Sequence, residues 1–222
     1  KKTDFWYVIC DTMLSLDSLS SNTRSKVRRG LKSCSVKLIN KNIILEKGYE
    51  CYSSAVLNYN PRLGLKNESE FERDIISLEG KWDFWGVFYK DKLIGYSQNR
   101  LMNECCEYST IKFHPDFLSF YSSYALFFTM NKYYLDENNF KYVNDGARNL
   151  VHKTNIQDFL ITKFGFRKAY CELFIKYNRS FQLLVSFIYP FRFVFYPFNN
   201  RFALKINSLF IQEKIRRSFF KT

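Results

Sequence analysis

The 222-residue chain contains only 8 glycines and 4 prolines, which excludes collagen-like and low-complexity architectures. It has no uninterrupted apolar run of the roughly 18–20 residues that a membrane-spanning helix needs. The nearest candidate, Leu183 to Phe198, is broken by Pro190, Arg192 and Pro197. Histidine is reduced to His114 and His152, and the six cysteines (Cys10, Cys34, Cys51, Cys105, Cys106, Cys171) form no C-x-x-C pair, so the sequence predicts no metal site. Adjacent Cys105 and Cys106 would face opposite ways on a strand. That reads as packed thiols in a reducing, cytosolic compartment rather than as a disulfide framework. No signal peptide is expected, because Lys1-Lys2 leads straight into a mixed stretch holding Asp4 and Asp11. What the chain has in abundance is apolar surface, at 46% hydrophobic and 19% aromatic residues, which excludes a disordered chain.

Acid is absent where base is concentrated. From Ser18 to Leu45 there are seven bases and no acid, and from Arg179 to Thr222 eight bases stand against Glu213 alone. The net charge of +13 therefore resides in these two segments, and a polyanion, an acidic membrane surface or a phosphorylated substrate would be felt through them.

Periodicity gives the order of elements. Thr3 to Cys10 reads as a strand, and Ser18 to Cys34 as a basic helix (about 21–34) with a narrow apolar stripe of Val27, Leu31 and Cys34. Val36 to Leu45 alternates weakly as a short strand, and Tyr49 to Asn58 and Glu68 to Leu78 read as helices. Three strands follow, Asp83 to Tyr89, Leu93 to Leu101 and Glu104 to Phe113, linked by short polar turns into an antiparallel meander. Ser119 to Asn138 is a long aromatic helix, Phe140 to Asn144 a strand, Thr154 to Lys163 a helix closed by Gly165, and Arg167 to Tyr177 a strand. From Asp83 the order is β-β-β-α-β-α-β. The expected class is α/β (α+β), a mixed, mostly antiparallel sheet flanked by helices, over residues 1–178. Residues 179–222 form a C-terminal extension, two proline-separated aromatic clusters and a basic amphipathic helix from Arg201 to Phe219, expected to pack on the domain.

This order, with Lys163-Phe164-Gly165-Phe166-Arg167-Lys168 turning the second helix into the last strand, resembles the GNAT superfamily of N-acyltransferases. The basic helix T-R-S-K-V-R-R-G-L-K at Thr23 to Lys32, together with Trp82-Asp83-Phe84-Trp85-Gly86-Val87 and Ile94-Gly95, is similar to the branch of Fem-type aminoacyltransferases. The resemblance spans about Ser20 to Tyr177. It implies transfer of an acetyl or aminoacyl group from an activated donor to an amine by direct attack, without metal. It also implies a site where two parallel strands separate, those at Glu104–Phe113 and Phe140–Asn144. Backbone N–H groups near Ile111 and Phe113 would then bind the acyl carbonyl. Family members hold the coenzyme A pyrophosphate in a glycine-rich loop before the long helix. The matching stretch here, with Phe120, Tyr121, Ser122 and Ser123, has no glycine and loses the close backbone approach glycine allows. An acetyl-CoA or other acyl-CoA and an aminoacyl-tRNA thus both stand as donors. The acceptor implied is an amine-bearing small molecule or a nucleotide-linked envelope precursor.

Asp145 and His152 follow the second parallel strand and are candidate bases, Glu107 lies on the first, and Tyr124 on the long helix is a candidate acid. Arg148 and Asn149 are candidates for holding a carboxylate or phosphate. Each has an ordinary structural alternative: a turn at Asp145-Gly146, a surface ion pair for Arg148, a cap for His152, a solvated Glu107, a core Tyr124. Arg24, Arg28 and Lys32 recur every four residues as one ridge, suited to nucleotide or tRNA phosphates or simply to solvent. A second reading is a non-catalytic, degenerate acyltransferase fold that holds RNA or an anionic membrane through its basic segments. The expected location is cytoplasmic, with peripheral contact at the inner membrane face through the C-terminal extension. The oligomeric state is open.

Overall fold

A computed structural model describes residues 3–59, 64–148, 155–195 and 201–219. The described residues contain seven strands, β1 (Trp6–Cys10), β2 (Ser35–Ile39), β3 (Lys81–Tyr89), β4 (Lys92–Met102), β5 (Cys105–Phe113), β6 (Tyr142–Ala147) and β7 (Arg167–Tyr170). The helices are α1 (Ser21–Ser33), α2 (Lys41–Tyr59), α3 (Glu68–Ile76), α4 (Ser122–Asn131), α5 (Ile156–Phe164), α6 (Arg179–Ile188), α7 (Arg192–Phe195) and α8 (Arg201–Phe219). The sheet order is β2-β3-β4-β5-β6-β1-β7, the mixed, mostly antiparallel sheet expected from the pattern. By packing, the chain divides into a larger unit, Ile9–Gly146 with Phe159–Arg167, and a smaller one, Lys1–Val8, Ala147–Asp158 and Lys168–Thr222.

In the larger unit, β2 to β5 pair antiparallel, and β5 and β6 run parallel. One face carries Phe84 and Tyr96 against Ile44 and Cys51 of α2 and Phe71 and Ile75 of α3. The other receives α4, which is apolar on every side and buries Ala125, Leu126, Phe127, Phe128 and Met130. Behind these lies a buried polar layer. Trp85 Nε1–H donates to Tyr134 Oη (2.9 Å), Asn99 Nδ2–H to the same oxygen (3.3 Å), and Tyr134 Oη–H to Asp83 Oδ2 (2.9 Å). Burial pushes the Asp83 carboxyl up, and the Tyr134 hydrogen bond offsets only part of that.

Several boundaries differ from the pattern. The strand expected to Leu45 stops at Ile39, because Asn40 accepts the Asn42 N–H (3.0 Å) and turns the chain into α2 at Lys41. The stripe of α1 is rotated: Thr23, Val27 and Gly30 are buried, while Leu31 is exposed. The long aromatic helix is three pieces, a 3-10 turn (Pro115–Phe120), α4 and a π turn (Lys132–Glu137). The strand expected to Tyr177 ends at Tyr170.

All six cysteines are free, five of them buried and Cys171 half-buried. Burial pushes the thiols of Cys10 and Cys34 up, that of Cys51 to about 12, and that of Cys106 strongly up. The thiolate is the reactive form, so timed alkylation followed by mass spectrometry is expected to modify Cys171 first. The five buried thiols should react only on unfolding.

In the smaller unit the Cys171 N–H donates to Phe5 O (3.1 Å), and the Arg148 N–H to Trp6 O (2.7 Å). Its helices enclose Val185, Tyr189, Ala203, Phe210 and Ile215. Pro190 does not break the first aromatic cluster apart. It sits near the start of a 3-10 turn (Tyr189–Phe191) that carries α6 into α7, where proline's missing N–H costs nothing. The buried Glu213 carboxylate accepts from Arg216 (2.7 and 2.8 Å) and Arg217 (2.7 Å). Burial alone would raise this carboxyl, but the two guanidiniums outweigh it and hold it below the usual carboxylate range. A carboxyl depressed by folding contributes stability above its unfolded pKa and loses it as pH falls through the folded value. Protection of α8 amides from hydrogen exchange is therefore expected to weaken below about pH 4. Glu213→Gln should cost about 1–3 kcal/mol at neutral pH, less than a fully buried pair because Arg217 stays partly solvated.

Candidate active site

The parallel ladder between β5 and β6 is short. It pairs Cys105 with Tyr142, Cys106 with Val143 and Glu107 with Asn144, and then ends, although β5 continues to Phe113 and β6 to Ala147. Where the ladder ends, β5 also bulges: Gln98 of β4 faces Thr110 and Asn99 faces Tyr108, leaving Ser109 unmatched. An extra residue bends a strand and increases its twist, so the bulge accompanies the separation of β5 from its parallel neighbour.

Beyond the bulge, backbone direction follows from one hydrogen bond. His114 N–H donates to Ile94 O (2.8 Å), which makes Gly95 and Phe113 a non-hydrogen-bonded antiparallel pair, and Ser97 and Ile111 likewise two residues back. The N–H groups of Ile111 and Phe113 thus point away from β4, toward the side on which the parallel ladder has stopped. Preset backbone donors beside an open strand end are the kind of group that binds a carbonyl oxygen gaining negative charge.

The polar residues at the fork are held locally. Asn144 is buried, donates through Nδ2 to Cys106 O (3.4 Å) and accepts the Gly146 N–H on Oδ1 (3.0 Å). Gly146 has φ +77°, and Glu107 Oε1 lies 4.0 Å from where a Cβ on it would stand. Glycine therefore serves the left-handed turn, and the half-buried Glu107 carboxylate lies at ordinary van der Waals distance from it. Asp145 lies close enough to act on Tyr108, whose phenol is raised well above its ordinary value by burial first and by neighbouring charge, Asp145 included, second. The Tyr108 hydroxyl donates to Asn131 Oδ1 (2.7 Å).

Tyr121 forms the start of α4 with φ +58° and no side-chain cap. The left-handed turn that glycine usually supplies is thus made by a tyrosine. Ser122 is fully buried and its hydroxyl has no hydrogen-bond partner, while Ser123 is half-buried. Against this end lies α1: a Cβ on Gly30 would stand 2.6 Å from Tyr121 O and 3.2 Å from the Ala125 Cβ. The close approach brings Arg29 to the Tyr121 hydroxyl (3.1 Å) with its guanidinium 4.7 Å from the ring centre. It also brings Lys26 to 5.4 Å from the Tyr124 ring centre. An uncapped helix N-terminus, a buried hydroxyl without a partner and two cations together fit an anionic group such as a phosphate.

The other predicted residues are placed as follows. Phe120 stacks on Tyr89 (4.5 Å), and Tyr124 packs edge-on against Phe159 (5.0 Å). Arg24 and Arg28 both approach Asp17, at 3.6 and 3.9 Å, and Lys32 is exposed. Arg148 belongs to the smaller unit, where it donates to Asp4 O (2.6 Å) and covers the Trp6 ring at 4.7 Å. Asn149 and His152 lie outside the described residues. Among the described residues, no group of three or more His, Cys, Asp or Glu side chains is arranged to hold a metal ion. A surface groove beside α2 and the β3–β4 turn, lined by Glu46, Glu50, Asp91 and Lys92, contains none of the fork residues. Sequence reasoning gave Lys26 and Arg29 no place in the site, and it noted Asn144 only as the first residue of the polar run that follows the second parallel strand. The signal for the first two was Gly30, which marks the face of α1 that another backbone approaches.

No protein-family model matches the chain, and no curated protein matches it. Among solved structures, FemX is similar at a TM-score of 0.57 and 12% identity, over 76% of this chain and 60% of that one. The chain thus spans about three fifths of the FemX length. The C-terminal domain (DUF2156) of an Agrobacterium fabrum protein is similar at a TM-score of 0.49 and 15% identity, over 64% and 46% of the two chains. The PaiA N-acetyltransferase of Thermoplasma acidophilum, solved with coenzyme A, follows at 0.38 and 13%, over 48% and 74%. The fold is GNAT-like, with a Fem-type structural neighbour.

Proposed function

We propose that the chain is an N-acyltransferase working by direct attack of a substrate amine on an activated acyl group. The observation that carries this reading is the fork at which β5 and β6 separate immediately after Glu107 and Asn144, with polar side chains on both strands. Attack forms the new C–N bond and breaks the donor's acyl–sulfur or acyl–oxygen bond. The amine proton passes to Glu107 through a water, and the leaving group takes up a proton. The N–H groups of Ile111 and Phe113 bind the carbonyl oxygen as charge develops. Asp145 orients the ammonium before it is deprotonated.

The donor is an acyl-coenzyme A or an aminoacyl-tRNA, both of which bring phosphates. The α4 N-terminus with Arg29 and Lys26 would hold those phosphates, and the donor supplies the activated ester or thioester. The acceptor is an amino sugar, an amino acid or a nucleotide-linked envelope precursor.

Thermal unfolding with coenzyme A and acetyl-coenzyme A, at low and moderate salt, tests the donor site. A ligand at 100 times its Kd adds about 2.7 kcal/mol, or roughly 5–10 °C at this chain length. The expected result is a shift that survives salt and shrinks in Arg29→Ala. No shift with coenzyme A but one with an aminoacyl-tRNA selects the second donor. No shift with either donor, together with salt-sensitive binding of RNA or of anionic vesicles, would favour the competing non-catalytic binding module.

A further inference from the structure

In the smaller unit, α6, the following 3-10 turn and α7 form one continuous helical run with two opposite faces. One face is buried: Val185 and Tyr189 pack inward, and Tyr189 and Phe195 meet Phe210 of α8 at ring-centre distances of 6.1 and 5.7 Å. The other face carries Leu183, Leu184, Phe187, Phe191, Phe193 and Val194, each about half exposed or more, with Leu183 at 73% and Phe187 at 74%. Leu184, Phe187, Phe191 and Val194 recur at intervals of three, four and three, which keeps them on one side of the run. Six large apolar side chains left open within twelve residues exceed the scattered exposure normal for a protein surface and mark an interaction site.

Charge identifies the partner. No acidic residue occurs from Leu173 to Gln212. The acid beyond, Glu213, is buried and neutralised by Arg216 and Arg217. On the run itself the charged side chains are Arg179, exposed at its start, and Arg192, half-buried, and Lys205 and Lys214 of α8 are exposed, so the segment that carries the apolar face is cationic and free of exposed acid. A protein seam would want polar or acidic partners around its rim, whereas an apolar Leu/Phe face set among bases matches the acyl and headgroup layers of an anionic bilayer. Among the described residues, no helix is long and apolar enough to cross a membrane.

We infer that the α6–α7 face lies in the surface of an anionic bilayer, with Leu184, Phe187 and Phe191 below the headgroups and the neighbouring basic side chains among them. This does not depend on the acyl-transfer reading.

The test is flotation of the full chain with phosphatidylcholine vesicles, with and without phosphatidylglycerol as about a third of the lipid. Each sample is run at low and moderate salt, and light scattering is recorded without lipid. The expected result is recovery with the anionic vesicles only, weakened by salt, and reduced about tenfold or more in the triple variant Leu184→Ser/Phe187→Ser/Phe191→Ser. Should that variant fail to fold, Phe187→Trp in the otherwise unchanged chain is expected to show a blue-shifted emission with anionic vesicles and quenching by brominated lipid. No flotation, flotation unaffected by the triple variant, or a Phe187→Trp emission indifferent to vesicles overturns the inference. So does a lipid-free dimer that the triple variant disperses, which would make the face a seam between two copies.

Discussion

Glu107→Gln is expected to lower the rate of acyl transfer by about 10²–10⁴-fold, the usual contribution of a positioned general base. Glutamine keeps the volume of the side chain beside Gly146 and its place opposite Asn144, but it cannot take a proton from the attacking amine. Donor binding, which involves the N-terminus of α4 with Arg29 and Lys26, should be unchanged. In steady-state kinetics the loss should therefore fall on kcat with KM for the donor nearly constant. Because Glu107 is half-buried and the exchange is isosteric, Tm should move little. A Glu107→Gln protein with wild-type kcat, paired with an inactive Asp145→Asn protein, would reassign the base to Asp145.

Gly30→Leu is expected to cost the larger unit much of its stability. A Cβ at this position would stand 2.6 Å from Tyr121 O, a backbone atom that already accepts the first hydrogen bond of α4 from Ala125 N–H (3.1 Å). A backbone carbonyl in that role cannot swing aside as a flexible side chain would. Either α1 moves away or the first turn of α4 is lost, at about 3 kcal/mol or more, which is roughly 6–12 °C in Tm. Gly30→Ala separates the causes. Its helix propensity alone would stabilise α1 by about 1 kcal/mol, so a net fall in Tm isolates the cost of the close approach. A rise in Tm would mean that α1 is not seated there, and Arg29 and Lys26 would then have no fixed place at the proposed phosphate site.

The strands of the meander were legible because aromatic and β-branched runs are set off by short polar turns, although β3 and β4 are buried on both faces at their centres. Asp83 to Tyr89, Leu93 to Leu101 and Glu104 to Phe113 were expected, against Lys81–Tyr89, Lys92–Met102 and Cys105–Phe113 observed. The basic helix was legible too, but its orientation was not. A pattern of apolar residues pointed to Leu31, whereas the buried position is Gly30, because contact with a neighbouring backbone selects the smallest residue and hydrophobicity does not register it. The same limit hid Arg29 and Lys26. The sequence displayed the four-residue ridge of Arg24, Arg28 and Lys32, while the stripe that reaches Tyr121 is set by how α1 rotates onto α4.

The left-handed turn before α4 is a further case. The stretch holds no glycine, yet Tyr121 adopts a left-handed conformation, with Arg29 and Lys26 4.7 and 5.9 Å from its ring centre. Such side-chain contacts compensate a strained backbone that local preference alone would not choose. In the tail, the outward and inward faces of α6 and α7 look equally apolar in sequence, and only burial of Val185 and Tyr189 tells them apart.

The amino-acid sequence by itself determined the order of strands and helices up to β7, the two basic segments and the family they resemble, because alternation, helical period and charge are local properties of the chain; α6 and α7 were read only as aromatic clusters. The tertiary structure alone decided where β5 leaves β6, which face of α1 meets α4, and which side of the C-terminal helices is left open. Those depend on pairing and packing between residues far apart in the chain, and no local pattern encodes them.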